Sequence, residues 1–246
     1  AMFAHGPGWR IEEYYPHHKV LRVNELPLEN IYMQVARQLA ELHSVHHSPG
    51  FPLQLSSRPP VALARLREWL QIAQETGHAI PTLFLTGVTD MERLLQTSVG
   101  KLGFHTVFAH NDLQENNLLA YQGDIRMIDY EYADMNFQGA DIGNFFAEFT
   151  FDYIVSEKPL FAVDESKYPS VAIQTAFITE YLIVYLGRAP GGDEVGEMLE
   201  STKVFRQLSN LLWGMWSLVR ANQNAPTEFD FLEYARIRFD SFVKNL

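Results

Sequence analysis

The sequence predicts a mainly α-helical domain with a small β insertion that carries the chemically active residues. Apolar residues recur at helical spacing over most long segments, whereas strand-like runs are few and short. Hydrophobic residues make up 47% of the 246-residue chain, so it can bury a sizeable core and is not globally disordered. The sequence shows no internal repeat and no low-complexity segment.

The first part of the chain is expected to contain one strand and three helices. Residues 9–15 are strand-like and are stopped by Pro16. Residues 29–46 form an amphipathic pattern with apolar side chains three or four positions apart, which predicts the first helix. The same spacing predicts a second helix over residues 60–77 and a third over residues 89–102.

The β insertion is expected within residues 105–145. Residues 107–109 are strand-like, and two further runs over 118–121 and 125–128 flank the turn signal Gln122-Gly123-Asp124, which predicts a hairpin. From residue 142 onward nearly everything is expected to be helical. The main helices are predicted over residues 172–186, 194–220 and 231–243.

The loop before this hairpin and the end of its second strand contain three polar residues at informative positions. Phosphoryl transfer needs a carboxylate near the acceptor hydroxyl and oxygen ligands for the metal that bridges the nucleotide phosphates. Asp112 fits the first role, and Asn117 and Asp129 fit the second. Folding the hairpin about Gly123 places Asn117 opposite Asp129 or within one residue of it, close enough to share one Mg²⁺. The pattern therefore predicts a phosphotransferase site.

Several polar residues near these positions have simpler interpretations. Asn111 and Asn116 are typical of turns and caps. His43, His46 and His47 have metal-like i, i+3, i+4 spacing, but no carboxylate of the HExxH type accompanies them. They fall at a predicted helix C-terminus, where imidazolium favours the dipole, so capping or solvent exposure is expected instead of a metal site.

Composition excludes several classes of function. The chain contains no cysteine, which removes disulfides, thiolate catalysis and cysteine-based zinc sites and is compatible with a cytoplasmic location. A formal net charge of −11 argues against nucleic-acid binding and suits a cationic small substrate. No apolar run reaches the length of about 18 residues typical of a transmembrane helix, so no stable membrane insertion is expected.

The segment before His110 lacks the features that usually cover nucleotide phosphates. It has no glycine-rich strand-loop-strand and no strand lysine, and Gly6-Pro7-Gly8 is short and is expected to lack flanking strands. The nucleotide-binding lobe is therefore expected to be largely absent from this chain. For that reason we expect little or no turnover by the isolated polypeptide.

Seven pieces of the sequence, spread from Arg10 to Phe242, resemble the choline/ethanolamine kinase family, whose relatives include the aminoglycoside phosphotransferases within the protein-kinase-like fold. The pieces are Arg10-Ile-Glu-Glu-Tyr14, His110-Asn-Asp-Leu-Gln-Glu-Asn-Asn117, Ile128-Asp-Tyr-Glu-Tyr132, Asp141-Ile-Gly-Asn144, Glu148 with Asp152-Tyr153, Trp213-Gly-Met-Trp216 and Glu228-Phe-Asp-Phe-Leu-Glu-Tyr234. The resemblance implies that residues 21–246 are the helical C-terminal lobe of such a kinase. Residues 1–20 would be the hinge and a remnant of the inter-lobe linker.

The resemblance also implies a role for each matching residue. Asp112 would be the catalytic base, Gln114 would support its loop, and Asn117 and Asp129 would hold Mg²⁺. The segment Glu12-Glu13-Tyr14 would be the hinge that meets the adenine of ATP, while His110 and Asp141 would be structural, with Asp141 bonding the backbone of the catalytic loop.

The substrate pocket can also be argued physically. A quaternary ammonium has no N–H to donate and is recognised by aromatic faces and a negative charge. Trp213 and Trp216 are three residues apart and share one helical face, although such an apolar helix is also typical of simple core packing. The expected pocket residues are Tyr153, Trp213, Trp216, Phe229 and Tyr234, with Glu148 supplying the charge.

The sequence hypothesis is ATP- and Mg²⁺-dependent phosphorylation of choline to phosphocholine, which by resemblance is the first step of phosphatidylcholine synthesis. Ethanolamine is the alternative substrate, because a primary ammonium needs hydrogen-bond acceptors more than aromatic faces. A hypothesis from another class is a ligand-binding fragment without catalysis. The sequence leaves monomer and homodimer both open.

Overall fold

Helices form most of the computed structural model, which describes residues 2–6, 9–75, 77, 79–223 and 227–244. At the N-terminus, strands β1 (Met2–Gly6) and β2 (Trp9–Glu12) pair antiparallel. The expectation that Gly6-Pro7-Gly8 lacks flanking strands is therefore wrong, because β1 supplies a hydrogen-bonding partner for the predicted strand 9–15. That strand ends at Glu12, three residues earlier than predicted.

Four helices follow, three of them near their predicted positions. They are α1 (Glu29–Ser44), α2 (Leu53–Ser56), α3 (Val61–Glu75) and α4 (Thr82–Thr97). The prediction of residues 89–102 for α4 is wrong at both ends. The helix begins at Thr82, directly after its N-cap residue Pro81, whose fixed φ suits a helix start. It ends at Thr97, before Gly100, whose φ of +92° no helix accommodates.

The β insertion contains the predicted hairpin and one strand that was missed. Strands β3 (Lys19–Val20), β5 (Leu118–Tyr121) and β6 (Asp124–Met127) form one sheet in the order β3-β5-β6. Gln122 and Gly123 both have positive φ, as a two-residue hairpin turn requires. Strand β4 (Thr106–Ala109) pairs with β7 (Asp134–Phe137). Strand β7 was not predicted, because two of its four residues are polar.

The second half contains α5 (Gln138–Glu148), α6 (Val171–Leu186), α7 (Gly192–Asn222) and α8 (Phe231–Lys244). The expectation that nearly everything after residue 142 is helical is wrong for residues 149–170. This segment contains only the short pair β8 (Phe151–Asp152) and β9 (Ala162–Val163) and a single 3-10 turn, because Pro159 and Pro169 interrupt helix formation. No helix in the described ranges is long and apolar enough to span a bilayer.

Helix α5 lies at the centre of the fold. Every one of its residues except Ala140 is buried, including four polar ones. Its apolar residues pack with α1 and α6 in one hydrophobic cluster, while α3, α4, α7 and α8 form a second cluster. A third, smaller cluster forms around Phe151, Phe161 and Tyr234. The β insertion and the ends of these helices therefore converge on α5.

Gly143 allows α5 to approach α7 closely. A Cβ atom at this position would lie 2.5 Å from the Cβ of Phe205 and 2.7 Å from the backbone nitrogen of Arg206. Because one of these atoms belongs to the α7 backbone, a larger residue cannot be accommodated by a side-chain rotation alone. The contact between the two helices depends on glycine at this position.

Gly143→Ala is expected to destabilise the protein by roughly 1–3 kcal/mol, because α7 must move away from α5. Gly196→Ala is the matched control, since it lies within α7 with no atom near its Cβ position, and it should gain roughly 0.5–1 kcal/mol of stability. Urea unfolding followed by circular dichroism measures both. Equal stability of the two variants would contradict the close-packing argument.

Candidate active site

The loop that follows β4 is fixed at its start by a buried carboxylate on α5. Asp141 accepts the backbone N–H groups of His110 and Asn111, each at 2.7 Å, and contacts Nε2 of His43 at 3.0 Å. Although burial opposes its ionisation, the hydrogen bonds and the charge environment from His43 and His110 hold the pKa of Asp141 below its ordinary value. Asp141 thus binds the backbone of the loop that carries Asp112.

His43 differs from its expected position at an exposed helix end. It is fully buried, with Nδ1 2.7 Å from the hydroxyl of Tyr181 and Nε2 on Asp141. The expectation of capping or exposure is wrong for His43, because it continues the buried stripe of α1 four residues after Leu39. His46, by contrast, bonds the carbonyl oxygen of His43 through Nδ1 at 2.7 Å.

His110 links the catalytic loop to the hairpin. Its side chain is buried, and its Nε2 lies 2.9 Å from the carbonyl oxygen of Ile128 at the end of the second hairpin strand. Its ring also packs against the ring of Tyr130. These contacts connect the loop that carries Asp112 to the segment that carries Asp129.

Asp112 is half-buried and is surrounded by amide donors. The Nδ2 of Asn117 donates to its Oδ2 at 3.0 Å and to its carbonyl oxygen at 2.8 Å, and the side chain of Gln114 also hydrogen-bonds the carboxylate. Burial raises the pKa of Asp112 well above its ordinary value, and the nearby carboxylates of Glu148 and Asp129 raise it further. A cation bound nearby would favour the ionised form.

The hairpin register brings Asn117 and Asp129 to the same end of the sheet. Leu118 lies opposite Met127, and the N–H of Ile128 donates to the carbonyl of Asn117 at 3.0 Å. Asn117 is therefore opposite Ile128, one residue from Asp129, whose φ of +62° bends the chain where β6 ends.

The oxygens of this end of the hairpin fit a hard divalent cation. The amide nitrogen of Asn117 is committed to Asp112, so its oxygen is the atom left to act as a ligand beside the Asp129 carboxylate. Within the described ranges no group of three or more His, Cys, Asp and Glu side chains could hold a metal. An amide and a carboxylate that share a cation with phosphate oxygens match the way Mg²⁺ is bound in phosphotransferases.

A cavity of about 370 Å³ opens beside Asp112 and brings the predicted substrate residues together. The walls contain all six of those predicted residues: Glu148, Tyr153, Trp213, Trp216, Phe229 and Tyr234. Gln114, which was expected to support the loop of Asp112, also lines the cavity. The remaining wall residues are Asn116, Glu131, Tyr132, Thr227 and Phe231. Tyr132 and Phe231 stand inside motifs quoted above, but nothing in their spacing marks them as pocket residues.

The aromatic walls are fixed by hydrogen bonds as well as by packing. The rings of Trp213 and Trp216 meet edge to face with centroids 5.4 Å apart. The indole Nε1 of Trp213 donates to Asn144 at 2.8 Å, and that of Trp216 donates to the Tyr132 hydroxyl at 3.2 Å. Both indole N–H groups are therefore used within the protein, which leaves the ring faces for a ligand.

The charge of Glu148 is compensated by a residue that the sequence analysis did not include in the site. Arg238 is fully buried, and its guanidinium forms an ion pair with Glu148 and donates to the Tyr234 hydroxyl at 2.6 Å. The Tyr153 hydroxyl donates to the other oxygen of Glu148 at 2.8 Å. An arginine on an amphipathic helix usually lies in solvent, so no sequence signal marked Arg238 as buried.

A second buried carboxyl lies behind the same wall. Glu115 accepts the backbone N–H of Tyr153 at 3.2 Å, and burial together with the charge of Glu148 raises the pKa of Glu115 to about 8. Glu115 itself does not line the cavity, whose acidic wall residues are Asp112, Glu131 and Glu148. Such a lining favours a cationic ligand over an anionic one.

Glu13 and Tyr14, two of the three expected hinge residues, do not line this cavity. Tyr14 is 83% exposed, and Glu13 is exposed and accepts a hydrogen bond from the Tyr15 hydroxyl at 3.1 Å. Glu12 closes β2, and its side chain lies outside the described residues. The segment reaches the catalytic hairpin through β3 and through the ring of His18, which packs 5.2 Å from that of Tyr121.

The chain is similar to known kinases over most of its length. The chain is 29% identical to mouse choline kinase alpha over 98% of its own length and 32% identical to human ethanolamine kinase 1 over 87%. The crystal structure of choline kinase from Cryptosporidium parvum superposes with a TM-score of 0.88 at 32% identity, covering 99% of this chain and 72% of that one.

These relatives are longer than the present chain. The match spans 56% of the mouse protein and 48% of the human protein, about half of each. The sequence profile of the family described as choline/ethanolamine kinase nevertheless matches residues 1–243. By this match, the chain belongs to the choline/ethanolamine kinase family.

Proposed function

We propose that this chain carries the catalytic and substrate-binding part of an ATP-dependent choline kinase. The reaction transfers the γ-phosphoryl group of ATP to the hydroxyl of choline and gives phosphocholine and ADP, the entry to phosphatidylcholine synthesis. The observation that supports this most directly is the shared cavity: Asp112 lies in the same 370 Å³ space as the aromatic walls. A substrate whose ammonium contacts those walls has its hydroxyl at the base.

Some residues of the site act in proton transfer, and others compensate the negative charge of the nucleotide phosphates. Asp112 accepts the proton of the hydroxyl, and its neighbours Gln114 and Asn117 hold the carboxylate in place. Mg²⁺ held by Asn117 and Asp129 would offset the charge of the nucleotide phosphates. Its positive charge would also lower the raised pKa of Asp112 and so favour the form that can act as a base.

The hydrogen bonds of the pocket favour a quaternary over a primary ammonium. Both oxygens of Glu148 already accept hydrogen bonds, from Arg238 and Tyr153, and the Tyr153 and Tyr234 hydroxyls bond each other at 2.6 Å. A primary ammonium would have to compete with these bonds for acceptors, whereas a trimethylammonium group needs only the ring faces. Ethanolamine remains the alternative, because Glu131 and Asp112 also line the cavity.

In the proposed kinase, the chain has two parts. Residues 21–246 are the helical C-terminal lobe, and residues 1–20 are the hinge segment, which β3 ties to the catalytic hairpin. ATP would bind on the hairpin side, with its phosphates toward Asn117 and Asp129. The competing hypothesis is a ligand-binding fragment, which would take up choline without phosphorylating it.

Asp112→Asn and Asp129→Ala are expected to separate the two roles. In the full-length natural protein, Asp112→Asn should lower turnover by about 10²–10⁴ and leave Mg²⁺-dependent nucleotide binding intact. Asp129→Ala should remove both, because it deletes a metal ligand. Phosphocholine formation and calorimetric titration with MgADP measure the two properties. Turnover of Asp112→Asn within about threefold of wild type would refute its role as the base.

A methylation series tests the substrate. Choline should bind most tightly, and affinity should fall in the order N,N-dimethylethanolamine, N-methylethanolamine and ethanolamine. Trp216→Leu removes one ring face and should weaken choline binding by roughly 0.5–2 kcal/mol, with a smaller effect on ethanolamine. Calorimetry measures each affinity.

Trp69→Leu is the matched control for this substitution. Trp69 packs against Trp213 at 6.3 Å between ring centroids but does not line the cavity. Trp69→Leu should lower the melting temperature of the protein and leave the order of affinities for choline and its less methylated analogues unchanged. Tighter binding of ethanolamine than of choline would assign the chain to the alternative substrate.

A further inference from the structure

One buried amide group joins the aromatic wall to the catalytic loop. Asn144 lies in α5 and is 6% exposed. Its Nδ2 donates to the backbone carbonyl of Leu113 at 3.1 Å, while its Oδ1 accepts from Nε1 of Trp213 at 2.8 Å and from the Ser209 hydroxyl at 2.7 Å. A carbonyl only accepts and an indole N–H only donates, so these partners fix the orientation of the amide.

The bond to Leu113 acts on the residue directly after Asp112. The side chain of Leu113 is fully buried, so the backbone at this point is held by packing as well as by Asn144. Asp141 holds the residues before Asp112, and Asn144 follows Asp141 by three positions, on the same face of α5. Two side chains of α5 therefore hold the backbone on either side of Asp112.

The bond to Trp213 acts on the aromatic wall. The indole ring of Trp213 is a wall of the cavity, and the rings of Trp69 and Trp216 contact it at 6.3 Å and 5.4 Å between centroids. Ring contacts of this kind permit tilting, whereas a hydrogen bond to Nε1 fixes the plane of the ring. Asn144 therefore fixes both the plane of the Trp213 ring and the position of the loop backbone at Leu113.

We propose that Asn144 is a positioning residue that couples occupation of the aromatic wall to the geometry of the catalytic loop. This inference rests on the proposed function, since it assumes a substrate with an ammonium at the wall and a hydroxyl at Asp112. Only two carbons separate these groups in choline, so a relative shift of wall and loop would move the hydroxyl out of line. Small displacements of that kind are costly in catalysis.

Coupling between two groups is reciprocal. If Asn144 transmits the position of the wall to the loop, a ligand that settles against Trp213 must also restrain the backbone beside Asp112. In the wild-type chain, choline should therefore slow amide hydrogen exchange in the peptide covering residues 110–118 by roughly fivefold or more. Exchange mass spectrometry, with calorimetry to measure choline affinity, detects this without requiring turnover.

Asn144→Asp separates binding from coupling. It keeps an oxygen for Trp213 and Ser209 but replaces the donor toward Leu113 with a second acceptor, so choline affinity should stay within about threefold of wild type. Exchange at residues 110–118 should be faster without ligand and should no longer respond to choline. Ser209→Ala is the control: it removes one donor to Asn144 and leaves both bridging bonds, so affinity and loop protection should match wild type.

Trp213→Phe tests the other bond, even if Asn144→Asp fails to fold. It keeps an aromatic face and removes the indole N–H, so saturating choline should no longer protect residues 110–118. Undiminished choline-induced protection in either variant overturns the inference and leaves the proposed function standing. No choline binding by the wild-type chain would overturn the proposed function, and the inference with it.

Discussion

The position of Asp112, the proposed base, depends on one buried carboxylate. Asp141 is inaccessible to solvent and collects the N–H groups of His110 and Asn111 together with a contact from His43. An ionised carboxylate in the interior costs several kcal/mol unless such partners compensate for lost hydration. The buried carboxylate and the loop backbone therefore stabilise each other.

Two further polar side chains of helix α5 also form hydrogen bonds with residues of the site. Asp141, Asn144 and Glu148 occupy positions i, i+3 and i+7, so they form a polar stripe that faces the catalytic loop and the aromatic walls. The apolar residues of α5 pack into the hydrophobic cluster shared with α1 and α6. Because Gly143 lets α7 approach, the stripe and the wall residues on α7 lie close enough to bond directly.

The electrostatics of the cavity follow from this packing. Glu148 is buried and is compensated by Arg238, so it contributes structure and only part of its charge to a ligand. Burial together with the charges of Glu148 and Asp129 raises the pKa of Asp112. In the proposed function, an ammonium at the walls and a metal at the hairpin would both favour the ionised form of Asp112.

The sequence alone determined what depends on short-range order. The hairpin follows from its turn residues, most helices follow from apolar spacing, and the Asp112, Asn117 and Asp129 set is separated by loop and strand lengths that can be counted. The hairpin, the helices and this spacing need few long-range contacts to specify them. The predicted pocket residues also line one cavity, but they stand on separate elements, and the family resemblance, not short-range order, identified them.

Only the tertiary structure decided which polar residues become partners. His43 and Asp141 are 98 positions apart, and Glu148 and Arg238 are 90 apart, so no local pattern could pair them. Strand β7 and helix α4 were misjudged because neighbouring elements and backbone conformation, not periodicity, set their limits. A buried polar group takes whichever partner the packed fold brings within hydrogen-bond distance, and that choice is made only when the helices assemble.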